Sequence, residues 1–314
     1  MQDKEHYPVM LPEILSALSP QDGGVYVDGT FGAGGYSRAI LDAADCQVYA
    51  IDRDENACEA ATALEGEYSG RFVFLRGRFG DVQSLLSDAG VKEIDGFVLD
   101  IGVSSMQIDQ AERGFSFRFD GPLDMRMDAS SGQTAADIVN TYDQDDLANV
   151  IYEYGEERKS RHIARKIVER RTEREFSRTS DLADVIREAI PKTYKDKIDP
   201  ATRTFQALRI AVNDELGELE RALNASEGIL KTDGRLVVVS FHSLEDGLVK
   251  RFIKEKEGGE QGSRHMPQIV TTDAVFKALK KKAIKPSDKE VAENPRSRSA
   301  RMRVAIKCAK AGGE

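Results

Sequence analysis

VDGTFGAGGYS, residues 27–37, is the stretch that decides how this chain folds. It follows a short apolar run at 24–27 and precedes a helical pattern at 36–43. The next apolar run, QVYAID, ends on Asp52, 24 residues after Asp28. The layout is strand, glycine-rich turn, helix, strand, carboxylate, which is the nucleotide-site half of a doubly wound sheet. Glycine lets a ligand approach the backbone where a Cβ would clash. Asp52 stands about where a carboxylate meets ribose hydroxyls.

The turn does not match two common nucleotide sites. A Walker loop requires Lys-Ser/Thr after its last glycine, and here Tyr36 and Ser37 follow. Dinucleotide turns run G-x-G-x-x-G toward a pyrophosphate, whereas the glycines here are Gly29, Gly32, Gly34 and Gly35. Asp28 at the strand end would repel a pyrophosphate and suits a cationic ligand. S-adenosylmethionine has a sulfonium, an amino group and no phosphate, and it fits these conditions. The plainer reading of the same residues is a tight strand-to-helix turn with no ligand.

Outward from this unit the first third alternates. A short helix is expected at 12–18, strands at 25–28, 47–52, 71–75 and 96–100, and helices at 36–43, 55–65 and 82–89. The strands are short and apolar on both faces, as a parallel sheet covered by helices requires. After Asp100 the pattern changes. Residues 101–131 are loop-like, and 134–197 show only helical periods, at 135–139, 145–154, 159–171 and 179–190. A long amphipathic helix from Thr202 carries Phe205, Leu208, Val212, Leu216, Leu219 and Leu223 on one side. Strands return at 235–241 and 302–306, and 277–299 reads as low in complexity and partly mobile. The economical architecture is an α/β core interrupted by an all-helical insert. The expected segments are 1–108 (core, first part), 109–200 (insert) and 201–314 (core, second part, with a basic end). The insert leaves after the fourth strand, whose C-terminal edge faces the ligand crevice in such sheets.

Three further segments sit at expected strand ends. Phe79, in GRF at 77–79, is placed to pack on an adenine or to fill the core. Asp100, in FVLDIGVSSMQID at 97–109, is placed to accept hydrogen bonds from an exocyclic amine. The lone pair of such an amine is delocalised into its ring, so hydrogen bonds that rehybridise and aim it toward a methyl sulfonium supply rate through positioning. The plainer role is a carboxylate capping a turn. His242, in VVVSFHSLED at 237–246, follows an apolar strand directly into a polar turn. It is a candidate general base or substrate contact, although a lone histidine is more often structural.

Composition narrows the setting. The chain has 314 residues, 40% hydrophobic and 32% charged, ordinary for a globular protein of one large or two modest domains. No apolar run approaches the ~20 residues of a membrane span. MQDKEHYPVML at the N-terminus has no signal-peptide core, and three cysteines without metal-ligand spacing fit a reducing compartment. A cytoplasmic protein with no metal and no membrane contact is expected. The net charge of −9 is uneven: 277–314 carries +8, 158–171 carries +6, and the chain outside 277–314 carries −17. Two basic segments on an acidic body suggest local contacts to a structured polyanion, against the plainer reading of solvated helix faces.

These residues resemble the bacterial small-subunit (16S) ribosomal RNA cytosine-N4 methyltransferase family. The matching motifs are HYPVML (6–11), DGTFGAGG (28–35), AIDRD (50–54), DIGVSS (100–105), RGFSF (113–117), GPLDMRMD (121–128), YGEE (154–157), RTFQALRIAVNDEL (203–216), SFHSLED (240–246) and NPRSRSARMR (294–303). They follow the family order over nearly the whole chain. The resemblance implies a Rossmann-like, S-adenosylmethionine-dependent methyltransferase core with a helical recognition insert. It implies cofactor contacts at Gly34, Gly35, Tyr36, Asp52, Phe79, Asp100 and Gln107; the catalytic candidates remain Asp100 and His242, read from their places at the strand ends. The implied reaction is methylation of a cytidine N4 in the decoding region of 16S rRNA on an assembled small subunit; a homodimer is compatible with it. Tyr36 stands where the family usually has histidine, and Met106 where proline is usual. Two rival readings are a non-catalytic RNA-binding ribosome assembly factor and a DNA amino-methyltransferase. The latter usually has a proline pair after the acid, where this chain has Ile101 and Gly102.

Overall fold

The computed structural model describes residues 8–191, 194, 198–261 and 270–309. The chain divides into two compact units: Met1–Gly102 with Leu216–Glu314, and Val103–Glu215.

The first unit is built on parallel strands β1 (Val25–Asp28), β2 (Gln47–Asp52), β3 (Phe72–Arg76), β4 (Ile94–Asp100) and β5 (Leu230–Ser240). A small antiparallel pair follows, β6 (Gly259–Gln261) and β7 (Val270–Thr272). Then β8 (Phe276–Ala278) and β9 (Arg301–Lys307) join the main sheet antiparallel, giving the order β3-β2-β1-β4-β5-β9-β8. The strand order reverses between β1 and β4, which opens a crevice at their C-terminal ends.

Helices cover both faces. One face takes α1 (Leu11–Leu18), α2 (Gly35–Ala43) and α3 (Ala57–Glu67), which bury Ile14, Ile40 and Leu64 against Val48, Val98 and Val237. The other takes α4 (Val82–Asp88), with Val82 and Leu86 packed against Phe97, Leu99 and Val238. Successive strand residues thus feed opposite cores, which is why every strand reads as continuously apolar.

The second unit contains the short helix α5 (Ser105–Asp109), then α6 (Ala135–Thr141), α7 (Gln144–Gly155), α8 (Ser160–Arg171), α9 (Thr179–Ala189) and α10 (Ala201–Asn213). Its core gathers Leu147, Ile151, Ile163, Ile167, Leu182, Ile186, Phe205 and Leu208. Asn213 is buried in it: Nδ2 donates to Met125 O at 2.8 Å, and Oδ1 accepts from Met127 N at 2.8 Å.

Three expectations change. The insert runs over 103–215 rather than 109–200, and the helix expected from Thr202 is two helices. Asp214 takes φ 50, and α11 (Glu215–Ile229) starts after it. Phe205 and Leu208 belong to the insert core, while Leu219 and Leu223 belong to the sheet core. One continuous apolar stripe therefore serves two cores. The segment 277–299, expected to be low in complexity and partly mobile, carries the end of β8, α13 (Asp288–Glu293) and a 3-10 turn, Pro295–Ser299. The remaining helix, α12 (Ser243–Lys256), follows β5. Among the described residues, no helix is long and apolar enough to cross a membrane.

Candidate active site

The turn after β1 lies across the strand tips. Asp28 pairs with Val98, so β1 stops two residues short of Asp100 on β4. The turn fills that notch: Gly29 N donates to Val98 O at 2.9 Å, and Phe31 N to Ile51 O at 3.1 Å. Asp100 N donates to Thr30 Oγ1 at 2.7 Å. Gly34 takes φ 82, a left-handed conformation that favours glycine. Gly35 opens α2, and a Cβ there would come within 2.2 Å of the Pro8 ring. Its small size is thus explained by packing against the chain's own N-terminal segment.

Asp28 is not offered to a ligand, contrary to its reading as a partner for a cation. It is fully buried, accepting Ser37 Oγ at 2.7 Å and Thr30 N at 3.2 Å. Burial pushes its carboxyl up to about 6. Its work is to staple the turn to α2.

Asp52 ends β2 half-buried, with one oxygen accepting Gly32 N and the other Asp54 N, both at 2.8 Å. Burial raises its pKa against the pull of these two N–H groups. A carboxylate has about four acceptor positions, so Asp52 retains capacity for diol hydroxyls. Phe79 is half-buried in the 3-10 turn Phe79–Asp81, beside Gly29.

Asp100 is the centre of the site. Tyr36 Oη lies 3.0 Å from its Oδ2, while Oδ1 is buried without a hydrogen-bond partner. Burial pushes the carboxyl up to about 7. A buried, unpartnered acceptor is costly unless something donates to it. An ammonium or an exocyclic amine is such a donor. Asp52, Phe79 and Asp100 all stand at the C-terminal edge of the sheet, and this donor and acceptor set fits S-adenosylmethionine.

Gln107 belongs to the second unit. Its Oε1 accepts Ser104 N at 3.0 Å and its own N donates to Ser104 Oγ at 3.2 Å, a reciprocal cap on α5. The side chain of Met106 lies outside the described residues, as do His6 and Tyr7 of the first motif.

His242 precedes α12, and Glu245 Oε2 reaches back to accept Phe241 N at 2.8 Å and His242 N at 3.2 Å. His242 Nε2 lies 2.9 Å from Glu245 Oε1, without hydrogen-bond alignment. The histidine is therefore held by its own helix start. It also lines a pocket with Ser243, Lys285, Arg298 and Arg301.

Sequence reasoning missed Glu218. It is fully buried on α11, with Oε1 2.8 Å from Arg53 Nη1 and 3.6 Å from Arg78 Nη1. Those arginines are the neighbours of Asp52 and Phe79, so one carboxylate ties the loops after β2 and β3 together. An acid next to Leu219 on the apolar stripe was the available signal.

The basic segments are partly spent on structure. Arg170 lies over the Phe176 ring and donates to Arg174 O, and Arg165 Nη2 lies 2.9 Å from His162 Nδ1. Arg301 and Arg303 hold Asp246, which lies below the usual carboxylate range despite its burial. Arg158, Arg161, Arg296 and Arg298 have exposed side chains.

The chain is similar to known proteins over nearly all of its length. The model of the MraW methylase family matches residues 3–308. A protein of Rhodospirillum rubrum named ribosomal RNA small subunit methyltransferase H is 61% identical over 305 residues, covering 95% of this chain and 93% of that one. Its namesake in Paramagnetospirillum magneticum is 56% identical over 312 residues, covering 98% of each. Among solved structures, an rRNA methylase from Streptococcus thermophilus aligns over 95% of each chain at 10% identity with a TM-score of 0.40. The chain belongs to the MraW methylase family, and it is an S-adenosylmethionine-dependent methyltransferase with a Rossmann-like core.

Proposed function

We propose that this protein methylates the N4 amine of a cytidine in the decoding region of 16S rRNA, presented on an assembled small ribosomal subunit. The relatives named for small-subunit rRNA methylation support the substrate class. The observation that carries the chemistry is the buried, unpartnered Oδ1 of Asp100 at the end of β4.

When bound, S-adenosylmethionine supplies an electrophilic methyl group on its sulfonium. Asp52 would accept the ribose hydroxyls, Phe79 would pack on the adenine, and the turn at Gly34 and Gly35 with Tyr36 would border the cofactor. Gln107 is assigned to the cofactor as the resemblance implies. Asp100 accepts an N–H of the target amine, which turns the nitrogen lone pair out of ring conjugation and aims it at the methyl group. His242 contacts the substrate at the mouth of its pocket. Lys285 and Arg298, which line that pocket, hold rRNA phosphates. The exposed cations at the start of α8, Arg161 on the helix and Arg158 just before it, add phosphate contacts from the insert. The target must leave its stack before its amine can meet a methyl donor.

The test is methyl transfer by purified protein from labelled cofactor to small subunits lacking the modification, to naked 16S rRNA and to duplex DNA. Label on the N4 of one cytidine in the subunit supports the proposal. Label only on DNA, or cofactor binding with no transfer to any of the three, overturns it.

A further inference from the structure

We propose that Tyr36 is a positioning residue that keeps the proton on Asp100: its hydroxyl spans the Val9 carbonyl and the Asp100 carboxyl, so Asp100 is a neutral donor in the free protein and releases its proton when the cationic cofactor binds. This rests on the assignment of Asp100 to the cofactor and amine site.

Tyr36 Oη lies 2.6 Å from Val9 O and 3.0 Å from Asp100 Oδ2, and the tyrosine is buried. A phenol has one proton to donate. Val9 O is a carbonyl oxygen and can only accept. At 2.6 Å that contact is a hydrogen bond only when the phenol proton points at Val9 O. Toward Asp100 the phenol then presents lone pairs. An ionised carboxylate would meet them as like charge; a protonated Oδ2 donates to them. The chain of donors thus runs from Asp100 to Tyr36 to Val9.

The surroundings favour the same state. Burial raises Asp100 most; a Tyr36 proton aimed at it would lower it, but the 2.6 Å contact with Val9 O takes that proton, and the charged groups that remain, Asp28 on β1, Glu245 on α12 and Glu290 on α13, are all acidic. Glu290 Oε1 is engaged with Met10 N at 2.8 Å, beside Val9. Among the described residues, no cation forms an ion pair with Asp100. Burial raises the Tyr36 phenol itself well above its ordinary value, so it stays protonated throughout.

S-adenosylmethionine carries one net positive charge, which favours the ionised carboxylate. On binding, the Oδ2–H bond breaks and the proton passes to solvent. Below the free-protein pKa of Asp100, cofactor affinity therefore rises with pH by up to about tenfold per unit.

The experiment is calorimetry of cofactor binding, across pH and in buffers of different ionisation enthalpy, for wild type and Tyr36→Phe. Wild type is expected to release close to one proton per cofactor on the acid side of the transition. In Tyr36→Phe the protonated carboxyl loses its acceptor, so the midpoint of the affinity profile moves to lower pH. A midpoint that moves to higher pH overturns the proposal, because it means that Tyr36 donates to an ionised Asp100. An unmoved midpoint also overturns it. Infrared titration of the free wild type covers the case of an unfolded variant. A protonated-carboxyl band that is absent from Asp100→Asn and lost on cofactor binding supports the proposal, and absence of that band contradicts it. A wild type that binds no cofactor contradicts the site assignment, while the infrared titration still decides the state of Asp100.

Discussion

Glu218 Oε1 on α11 lies 2.8 Å from Arg53 Nη1, and Glu218 is fully buried. Arg78 approaches the same carboxylate at 3.6 Å. The two arginines are the chain neighbours of Asp52 and Phe79, so this buried carboxylate ties together the loops that carry two residues of the proposed cofactor site. Glu218→Ala leaves the mostly covered Arg53 side chain without this counter-charge. Breaking such a pair from one side costs about 3–5 kcal/mol. Urea denaturation is expected to show a loss of that order, with weaker cofactor binding in the fraction that stays folded. Unchanged stability and affinity would mean that the loops are held by other contacts.

Asp52, the proposed ribose partner, also has a structural task. It accepts Gly32 N and Asp54 N and so shapes the turn it faces. Asp52→Ala is expected to weaken S-adenosylmethionine binding by roughly 1.5–3 kcal/mol through the removal of charge-assisted hydrogen bonds. Calorimetry showing full affinity in the variant would remove Asp52 from the site.

Stability should depend on pH through Asp28 and Asp100. Both carboxyls are raised by burial, from 3.8 to about 6 and about 7 respectively. Folded protein therefore holds protons that the unfolded chain has released. Their stabilising contribution is complete below the unfolded value and disappears as pH rises through the folded values. Acids held low, such as Asp120 at about 2 beside Arg178, act below this window. Cofactor-free protein is expected to melt at progressively lower temperature from about pH 5 to about pH 8. Asp100→Asn should flatten the upper part of that decline. A melting temperature that rises across the window would show that the two carboxyls are ionised in the fold.

Much of the core was legible in the sequence, because its signals are local. The turn at 28–35, the acid ending each of three strands and the alternation of helix and strand all fall within short windows. What escaped reading depends on contacts between distant residues. The stripe from Phe205 to Leu223 keeps one period across Asp214, so nothing in the periodicity marks where the insert ends. Gly35 looks like a ligand glycine until Pro8 is seen packed on it. Asp28 looks like a ligand carboxylate, yet Ser37 and Thr30 occupy it. The contact of Tyr36 with Val9 crosses 27 residues. Strand β8 has three residues, too few for a period.

Phosphate binding should be separable from cofactor binding. Lys285 and Arg298 line the pocket at the start of α12. The double variant Lys285→Glu, Arg298→Glu is expected to keep cofactor affinity and to raise the apparent KM for small subunits. The dependence of KM on salt should become shallower, by about one unit of log–log slope or less for each phosphate that is no longer neutralised. Kinetics and salt slope equal to wild type would assign these side chains to solvent.

The most direct measurement is nucleoside mass spectrometry of small-subunit rRNA from cells with and without the gene. Deletion is expected to abolish one N4-methylated cytidine in the decoding region. Wild-type gene on a plasmid should restore it. Asp100→Asn, expressed to the same level, should methylate at least about tenfold more slowly, the cost of one transition-state hydrogen bond of about 1.4 kcal/mol or more. A nucleoside profile unchanged by deletion, or restored as fast by Asp100→Asn as by wild type, would contradict the account.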